Sequence, residues 1–227
     1  MKKLVVLSGA GISAESGIAT FRDSNGLWEN HEVTDVATPE GWERNPALVL
    51  EFYNQRRKQA LSAQPNAGHK AIKKLEEKYD VTVITQNVDN LHEKAGSSKV
   101  LHLHGELFKS RSTVDENLIY DVEGWELRLG DKCAKGSQLR PHIVWFGEMV
   151  PMMEVAIGLV AEADIVIVTG TSLQVYPAAS LLHYRTPGIP IYLVDPKTPE
   201  LELRDVSIIK EKAGTGLPKL VDQLLTT

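Results

Sequence analysis

Cysteine is nearly absent from this 227-residue chain, which contains only Cys133. A single thiol cannot form an internal disulfide framework and suits a reducing compartment, so we expect a cytoplasmic protein. No apolar run approaches the ~18 residues that a membrane span needs. The chain also enters a strand-like run almost at once, so we expect no signal peptide. Long basic runs are missing and the net charge is -5, which argues against a dominant role in nucleic-acid binding.

Apolar, β-branched runs recur at wide spacing and are mostly continuous, as in strands buried on both faces of a parallel sheet. They cover residues 4–7, 81–84, 143–146, 165–168 and 189–194. Helical patterns lie between them. One begins at Asn45-Pro46, with Asn45 as N-cap, and the helical patterns cover about 46–63, 67–78, 152–163 and 217–225. This alternation predicts an α/β fold with a Rossmann-like, doubly wound parallel sheet.

One stretch does not follow this alternation. Residues 109–140 are polar, contain glycine and have weak periodicity. We interpret them, together with helices near 31–65, as a small inserted module that caps the sheet. The chain 1–227 is then a single domain, with a Rossmann-like part over 1–30, 66–108 and 141–227 and a small module over about 31–65 and 109–140.

The first strand-like run, Leu4 to Ser8, leads directly into the turn Gly9-Ala10-Gly11-Ile12-Ser13-Ala14. Glycines at the first and third positions allow a sharp turn and close approach of a ligand to the backbone. With Ala14 in the last position, the turn matches a loose dinucleotide-binding pattern in the required strand-to-helix context. The sequence therefore predicts a pyrophosphate site here.

The residues after this turn differ from those of an ordinary dinucleotide-binding domain. No second strand ending in an acidic residue follows about 20 positions on; instead the chain continues through Thr20-Phe21-Arg22-Asp23. We interpret this stretch as a loop folded over the cofactor, with Phe21 as an apolar lid and Arg22 near phosphate or ribose. A surface loop anchored by one phenylalanine is the alternative.

Two further segments follow predicted strands, where ligands of open α/β sheets bind. Gln86-Asn87-Val88-Asp89 offers two amides and a carboxylate, which suits recognition of a carboxamide such as nicotinamide; an Asx turn that caps the next helix is the alternative. The small, hydroxyl-bearing turn Gly170-Thr171-Ser172 suits a ribose or phosphate. Two such turns in one sheet favour a large nucleotide lying between them.

Two histidines alternate in the run Leu101-His102-Leu103-His104-Gly105. Alternation places His102 and His104 on the same side of a short strand, and Gly105 permits a turn at its end. A lone histidine is more often structural than catalytic. At a strand end, after a dinucleotide turn and an amide-rich segment, a catalytic role is favoured.

Five separated stretches, which together span nearly the whole chain, resemble the sirtuins, a family of NAD-dependent protein lysine deacylases. In the family's order they are GAGISAESGIATFRDSNGLW, TQNVDNLHEKAG, His104-Gly105, PHIVWFGEMVP and GTSLQVYPAA. The resemblance implies a Rossmann-type domain with a small helical and zinc-ribbon-like module. It also implies that NAD and an acyl-lysine peptide enter the cleft between the two.

The resemblance also implies roles for individual residues. The acyl oxygen would attack the ribose carbon that carries nicotinamide, and the acyl group would pass to ADP-ribose. Asn87 and Asp89 would position nicotinamide and its ribose, and His104 would act as general base on a ribose hydroxyl. Val144, Trp145, Phe146 and Gly147 would line the acyl-lysine tunnel and pair with the peptide backbone. The implied NAD-binding residues are Gly9, Ala10, Gly11, Ile12, Ser13, Glu15, Ser16, Thr20, Phe21, Arg22, Trp28, Gln86, Asn87, Val88, Asp89, His104, Gly170, Thr171, Ser172, Val194, Asp195 and Ala213.

Tyr53 and Arg56 are the candidates for recognising the acyl group, because they lie three residues apart and share a helix face. A phenol and a guanidinium in an acyl pocket would recognise a terminal carboxylate. The spacing resembles the Tyr-x-x-Arg signature of the sirtuins that remove succinyl and malonyl groups. On spacing alone, Tyr53 could instead belong to the apolar stripe with Leu50, with Arg56 solvated, and Arg57 shares the face too. Within the family resemblance, we favour a desuccinylase and demalonylase that also deacetylates.

The chain departs from the family at the zinc site. Most sirtuins hold zinc with four cysteines, whereas here Ser112 and Gly136 stand where ligands are expected beside Cys133. One thiolate cannot build the tetrahedral site that structural zinc prefers, and oxygens from Asp115 and Asp131 would give a far weaker one. We therefore predict no structural zinc. Apolar packing must then order the module, and the candidates are Leu118, Ile119, Val122, Trp125, Leu127 and Leu129.

Other functions on the same cleft remain open from the sequence. An ADP-ribosyltransferase or NAD hydrolase is the principal alternative, kept open by the missing zinc cysteines. A non-catalytic NAD sensor is disfavoured by the presence of Asn87, Asp89 and His104, and a dehydrogenase by the missing acidic residue. We expect acyl-lysine proteins or peptides as substrates, no nucleic-acid or membrane partner, and a monomer.

Overall fold

A six-stranded parallel sheet is the main structural element of the described chain. The computed structural model describes residues 1–19, 27–28, 31–171, 173, 178–197 and 206–226. The strands in this part of the chain are β1 (Lys3–Ser8), β2 (Leu27–Trp28), β3 (His31–Glu32), β4 (Asp80–Thr85), β5 (Val100–His102), β6 (Gly105–Ser112), β7 (Ile119–Asp121), β8 (Leu139–Ile143), β9 (Ile165–Thr169), β10 (Ile191–Val194) and β11 (Val206–Ile209). Six of them pair in the order β11-β10-β9-β1-β4-β5, and every pairing in this sheet is parallel.

The central strands are buried on both faces, as their continuous apolar runs predict. Leu4 and Val6 of β1 pack on one side with apolar residues of the helices at 11–14, 67–74 and 213–226. Val5 and Leu7 pack on the other side. Ser8 pairs with both Thr85 and Thr169, so β1, β4 and β9 end level with one another. The predicted strands at 4–7, 81–84, 165–168 and 189–194 are confirmed.

Helices cover both faces of the sheet and build the small module. They are α1 (Gly11–Ala14), α2 (Val33–Val36), α3 (Pro39–Arg44), α4 (Pro46–Ser62), α5 (Ala67–Lys74), α6 (Leu91–Lys94), α7 (Met153–Ala161) and α8 (Ala213–Thr226), and short 3₁₀ segments cover Leu75–Glu77 and Ala178–Tyr184. The predicted cap of α4 is confirmed, because the Asn45 side chain accepts a hydrogen bond from the Leu48 backbone N–H at 3.1 Å. The helix after the glycine turn is a single turn long. None of the described helices is long and apolar enough to cross a membrane.

The apolar run at 143–146 was wrongly predicted to be a strand of the parallel sheet. The strand β8 ends at Ile143 and pairs antiparallel with β6 in a separate sheet of order β7-β6-β8. Beyond it, the Val144 N–H donates to the His104 carbonyl and the Phe146 N–H to the Ala37 carbonyl. These bonds hold the segment as an irregular connection whose apolar side chains face a cavity rather than a sheet. Apolar composition alone could not reveal this. The predicted division of the chain into two parts at fixed boundaries stays a prediction.

The small module has an apolar core of its own, formed by Leu50, Leu127, Cys133 and Leu139. Leu127 was among the residues predicted to pack there. Ile119 and Leu129, also predicted, are instead 43% and 57% exposed, because the short antiparallel strand and the turns around it leave one face in solvent.

A fully buried arginine also holds the module to α4. Arg57 donates from Nε to the Leu107 carbonyl at 2.7 Å and from Nη1 to the Trp125 carbonyl at 2.8 Å. The Ser137 hydroxyl forms hydrogen bonds with the Ser112 hydroxyl at 2.9 Å and with the Cys133 thiol at 3.0 Å. With its single cysteine the chain has no zinc ribbon, and no three His, Cys, Asp or Glu side chains in the described ranges are grouped to hold a metal.

Candidate functional site

A cavity of about 540 Å³ opens where β1, β4 and β9 end. Most residues predicted from the sequence to bind ligands contribute to its wall. These are Gly9, Ala10, Gly11, Ser13, Glu15, Trp28, Tyr53, Arg56, Gln86, Asn87, Val88, Asp89, His104, Val144, Trp145, Phe146, Gly147, Gly170, Thr171, Val194, Asp195 and Ala213. The structure does not bring Ile12 or Ser16 to the wall: Ile12 is fully buried in the core, and the Ser16 hydroxyl accepts from the Asn66 side chain. The predictions for Thr20, Phe21, Arg22 and Ser172 fall outside the described residues.

The two glycine-containing turns interlock to form the floor of the cavity. The Gly11 N–H donates to the Gly170 carbonyl at 2.8 Å. Gly170 has φ +63, and a Cβ at this position would lie 2.3 Å from the Ile12 nitrogen. A Cβ on Gly9 would lie 2.8 Å from the Gly170 oxygen. Glycine is therefore required on both sides of the contact, and the two turns predicted to bind a nucleotide act as one surface.

A buried polar cluster stands beside this floor. The Ser13 hydroxyl donates to Asp89 Oδ2 at 2.9 Å, and Asn87 Nδ2 donates to the Gly9 carbonyl and to Ser13 Oγ, both at 3.2 Å. Both amide hydrogens of Asn87 are thus used within the protein, and its Oδ1 accepts no hydrogen bond from the described residues. An amide oxygen at the cavity wall is the acceptor that a ligand carboxamide needs.

Asp89 also has the capping role that was the alternative to ligand binding. Its Oδ1 accepts from the Leu91 N–H at 3.0 Å, at the start of α6. Burial raises the pKa of this carboxyl, against the opposing effect of the hydrogen bonds from Leu91 and Ser13. The two interpretations of the segment are therefore compatible, since one oxygen orders the helix while the side chain also lines the cavity.

His104 presents one ring nitrogen to the protein and the other to the cavity side. Its Nδ1 lies 3.1 Å from the Gln86 carbonyl oxygen, which can only accept, so Nδ1 carries the hydrogen and Nε2 keeps its lone pair in the neutral ring. Burial lowers the pKa of His104, which favours this neutral form near pH 7. The ring is thus in the state that a general base requires.

His102, two residues before His104, has a different environment from that of His104. Its Nδ1 lies 2.9 Å from the Asn87 carbonyl and its Nε2 lies 2.7 Å from Glu93 Oε1. Burial is the largest single effect and acts to lower the pKa of His102, but the hydrogen bond and charge of Glu93, together with the Asn87 carbonyl and the charge of Glu106, outweigh it and raise the pKa. His102 does not line the cavity, so it supports the Asn87 segment from behind.

The opposite end of the cavity is aromatic and also contains the guanidinium of Arg56. The Arg56 guanidinium carbon lies 4.3 Å from the centroid of the Trp28 ring and 5.5 Å from that of Phe52. The Tyr53 hydroxyl accepts a hydrogen bond from Trp145 Nε1 at 3.1 Å. Burial raises the pKa of Tyr53 to about 12, so the phenol stays protonated. Tyr53 and Arg56 therefore share one pocket.

Several functional-site residues were not identified from the sequence. Ala37 and Ala60 line the aromatic end, where their small side chains leave space for a ligand; no local pattern distinguishes them from other buried alanines. Lys197 and Lys212 line the opposite end beside Asp195, whose Oδ1 accepts from the Lys197 N–H at 2.8 Å. Lysines in such loops usually extend into solvent, so composition gave no signal for them.

Comparisons with known proteins agree on one family. A model of the Sir2 family matches residues 9–177. The chain is similar to an NAD-dependent protein deacylase of Bacteroides thetaiotaomicron, with 53% identity over 231 residues that cover 99% of each chain. It is also similar to one of Helicobacter pylori, with 55% identity over 226 residues that cover 99% of this chain and 98% of the relative.

Solved structures give the same result. A Sir2 homologue in complex with NAD superposes with a TM-score of 0.88 and 42% identity, covering 99% of this chain and 90% of that one. A Sir2 mutant bound to a p53 peptide and NAD superposes with a TM-score of 0.79 and 31% identity, covering 99% and 94%.

Proposed function

The chain belongs to the Sir2 family and is an NAD-dependent protein deacylase, and on that premise we propose which residues perform the reaction and which acyl groups it removes. The observation that carries the proposal is the state of His104, whose Nδ1 is fixed by the Gln86 carbonyl while the ring lines a cavity shared with Asn87 and Asp89. The residues of the glycine turns hold NAD at one end of this cavity. An acyl-lysine enters from the other end.

At the nucleotide end, Asn87 binds the nicotinamide carboxamide through Oδ1, because its amide hydrogens are already donated to Gly9 and Ser13. Asp89, held by Ser13 and Leu91, positions the neighbouring ribose. NAD, when bound, supplies the ribose carbon that accepts the acyl oxygen, with nicotinamide as leaving group. His104 takes a proton from a ribose hydroxyl at Nε2, and its lowered pKa keeps that nitrogen free near neutral pH.

At the acyl end, Tyr53 and Arg56 bind a terminal carboxylate. Arg56 is only 9% exposed and lies against two aromatic rings, so a carboxylate entering this pocket would be shielded from water, where charge-assisted hydrogen bonds are strong. We therefore propose succinyl- and malonyl-lysine as preferred substrates, with acetyl-lysine also accepted. Val144, Trp145, Phe146 and Gly147 line the path of the lysine and its peptide.

The acyl preference is tested with purified protein, NAD and peptides that differ only in an acetyl, succinyl or malonyl group, with the products measured by mass spectrometry. Arg56→Met should lower kcat/KM for the succinyl peptide about 10–100-fold, because a hydrogen-bonded charge contributes about 1.5–3 kcal/mol. Deacetylation should fall much less. Equal loss on both substrates would refute carboxylate recognition by Arg56.

Two controls belong to the same assay. Nicotinamide release without any acyl-lysine peptide measures NAD hydrolase activity, which should be slow. Transfer of ADP-ribose to protein, detected as a mass increase on the substrate, would support the ADP-ribosyltransferase alternative. We further propose that the enzyme acts as a monomer in the cytoplasm, which sedimentation of the full chain and cell fractionation would test.

A further inference from the structure

Trp145 is held in one orientation by a charged and an aromatic neighbour that pack against its ring. The Arg140 guanidinium carbon lies 3.3 Å from the centroid of the indole. The ring centroids of Trp42 and Trp145 lie 5.9 Å apart, and the two ring planes are inclined at 35° to each other. The Trp145 backbone N–H donates to Glu148 Oε2 at 2.8 Å. Both the side chain and the main chain of this residue are therefore fixed.

The cation over the indole is itself held in place. Arg140 donates to both carboxylate oxygens of Glu148, at 2.7 and 3.1 Å, and to the Ile143 carbonyl at 3.0 Å. Arg111 donates to the same carboxylate at 3.1 and 3.2 Å. The side chains of Arg140 and Glu148 are 11% and 20% exposed, so solvent screens the cluster only in part. The ion-pair cluster therefore fixes the position of Arg140 against the indole.

The fixed indole determines the orientation of the Tyr53 hydroxyl. An indole N–H can only donate, so the hydrogen bond from Trp145 Nε1 at 3.1 Å occupies a lone pair of the phenol oxygen. The phenolic hydrogen must then point elsewhere. No described residue accepts it, and Tyr53 is fully buried yet borders the cavity beside Arg56.

We propose that Trp145 is a positioning residue for acyl selection: its indole N–H fixes the Tyr53 hydroxyl as a hydrogen-bond donor toward the terminal carboxylate of succinyl- or malonyl-lysine. The inference rests on the proposed carboxyl-acyl preference and deepens it. Without the indole donor, the phenol hydrogen is free to turn away and leave a lone pair facing a carboxylate. An acetyl group has no terminal carboxylate, so its removal does not depend on this orientation.

The test is a double-mutant cycle read as the ratio of kcat/KM for succinyl and acetyl forms of one peptide, with kcat and KM determined separately. Trp145→Phe should lower this ratio about fivefold to tenfold, mainly through KM for the succinyl peptide, since one such hydrogen bond contributes about 1 kcal/mol. In the Tyr53→Phe background, the same change should shift the ratio less than twofold. Trp42→Phe is the matched control, because it trims the packing against the Trp145 ring while the indole N–H and the Arg140 contact both remain, so it should shift the ratio less than twofold.

A second variant separates the N–H from the shape of the ring. Replacement of residue 145 by benzothienylalanine, which has sulfur in place of the N–H, should lower the ratio as Trp145→Phe does. The inference is overturned if either change reduces both activities equally, or if its effect on the ratio persists in the Tyr53→Phe background. If Arg56→Met leaves the ratio unchanged, the carboxyl-acyl preference itself fails, and this inference fails with it.

Discussion

Gly170→Ala should destabilise the fold and weaken NAD binding, because it adds a methyl group where the two glycine turns touch. Gly170 has φ +63, and a residue with a Cβ pays about 1–2 kcal/mol for that conformation. The added Cβ would also lie 2.3 Å from the Ile12 nitrogen and 2.8 Å from the Gly11 carbonyl carbon. These neighbours are backbone atoms of the opposite turn, so they cannot swing aside as a side chain would. Overpacking of this kind adds about 1–3 kcal/mol.

Gly188 provides a matched control. It has φ +84, and a Cβ there would meet no atom within 4 Å. Gly188→Ala is therefore destabilised only by the cost of holding a residue with a Cβ at positive φ. In urea titrations, the free energy of unfolding should therefore fall by about 2–5 kcal/mol for Gly170→Ala and by about 1–2 kcal/mol for Gly188→Ala. Titration with NAD should show at least a tenfold weaker Kd for Gly170→Ala only. Similar unfolding curves for the two variants, or unchanged NAD affinity in Gly170→Ala, would refute the interlocked-turn argument.

Two further predictions follow from the buried histidines. His104→Ala should lower kcat/KM about 10²–10⁴-fold, the usual effect of losing a general base, while the urea midpoint and the NAD Kd stay close to those of the wild type. His69 and His92 pack edge to face with ring centroids 5.0 Å apart, and burial lowers their pKa values to about 4 and about 3. The unfolded chain binds protons at these rings below about pH 6.5 whereas the folded protein does not, so stability is lost as the pH falls. Unfolding free energy measured by urea titration should drop by about 1–3 kcal/mol per pH unit between pH 6 and pH 4.5. The drop should be roughly half as steep in His92→Gln, and a flat profile would contradict the assignment.

Local patterns predicted the sheet and identified residues that the structure gathers around one cavity at the strand ends, because the causes of these patterns are local. A continuous apolar run predicts a buried central strand wherever it lies in the chain, and Asn45-Pro46 identifies the start of α4 without reference to any partner. The glycine turns follow directly from strands β1 and β9. Residues placed at strand ends necessarily meet at one edge of a parallel sheet.

Long-range contacts decide the acyl end, and these could not be predicted from spacing. Arg56 and Arg57 are adjacent and share the helix face with Tyr53, yet only Arg56 enters the pocket. Arg57 is drawn away by the carbonyls of Leu107 and Trp125, which lie 50 and 68 residues further along the chain. The hydrogen bond between Trp145 and Tyr53 spans 92 residues. The run at 143–146 was misassigned for the same reason, since its partners are in β6 and near Ala37.

The two ends of the cavity are built on different structural elements, and this affects how substrate preference can diverge in evolution. The nucleotide end is attached to three adjoining central strands that finish level with one another, so it is only as mobile as the whole sheet. Tyr53, Arg56 and Ala60 all belong to α4. Under the acyl recognition proposed above, substitutions confined to a few turns of that helix would change which acyl group is preferred. Diversification of substrates within such a scaffold requires no redesign of its dinucleotide chemistry.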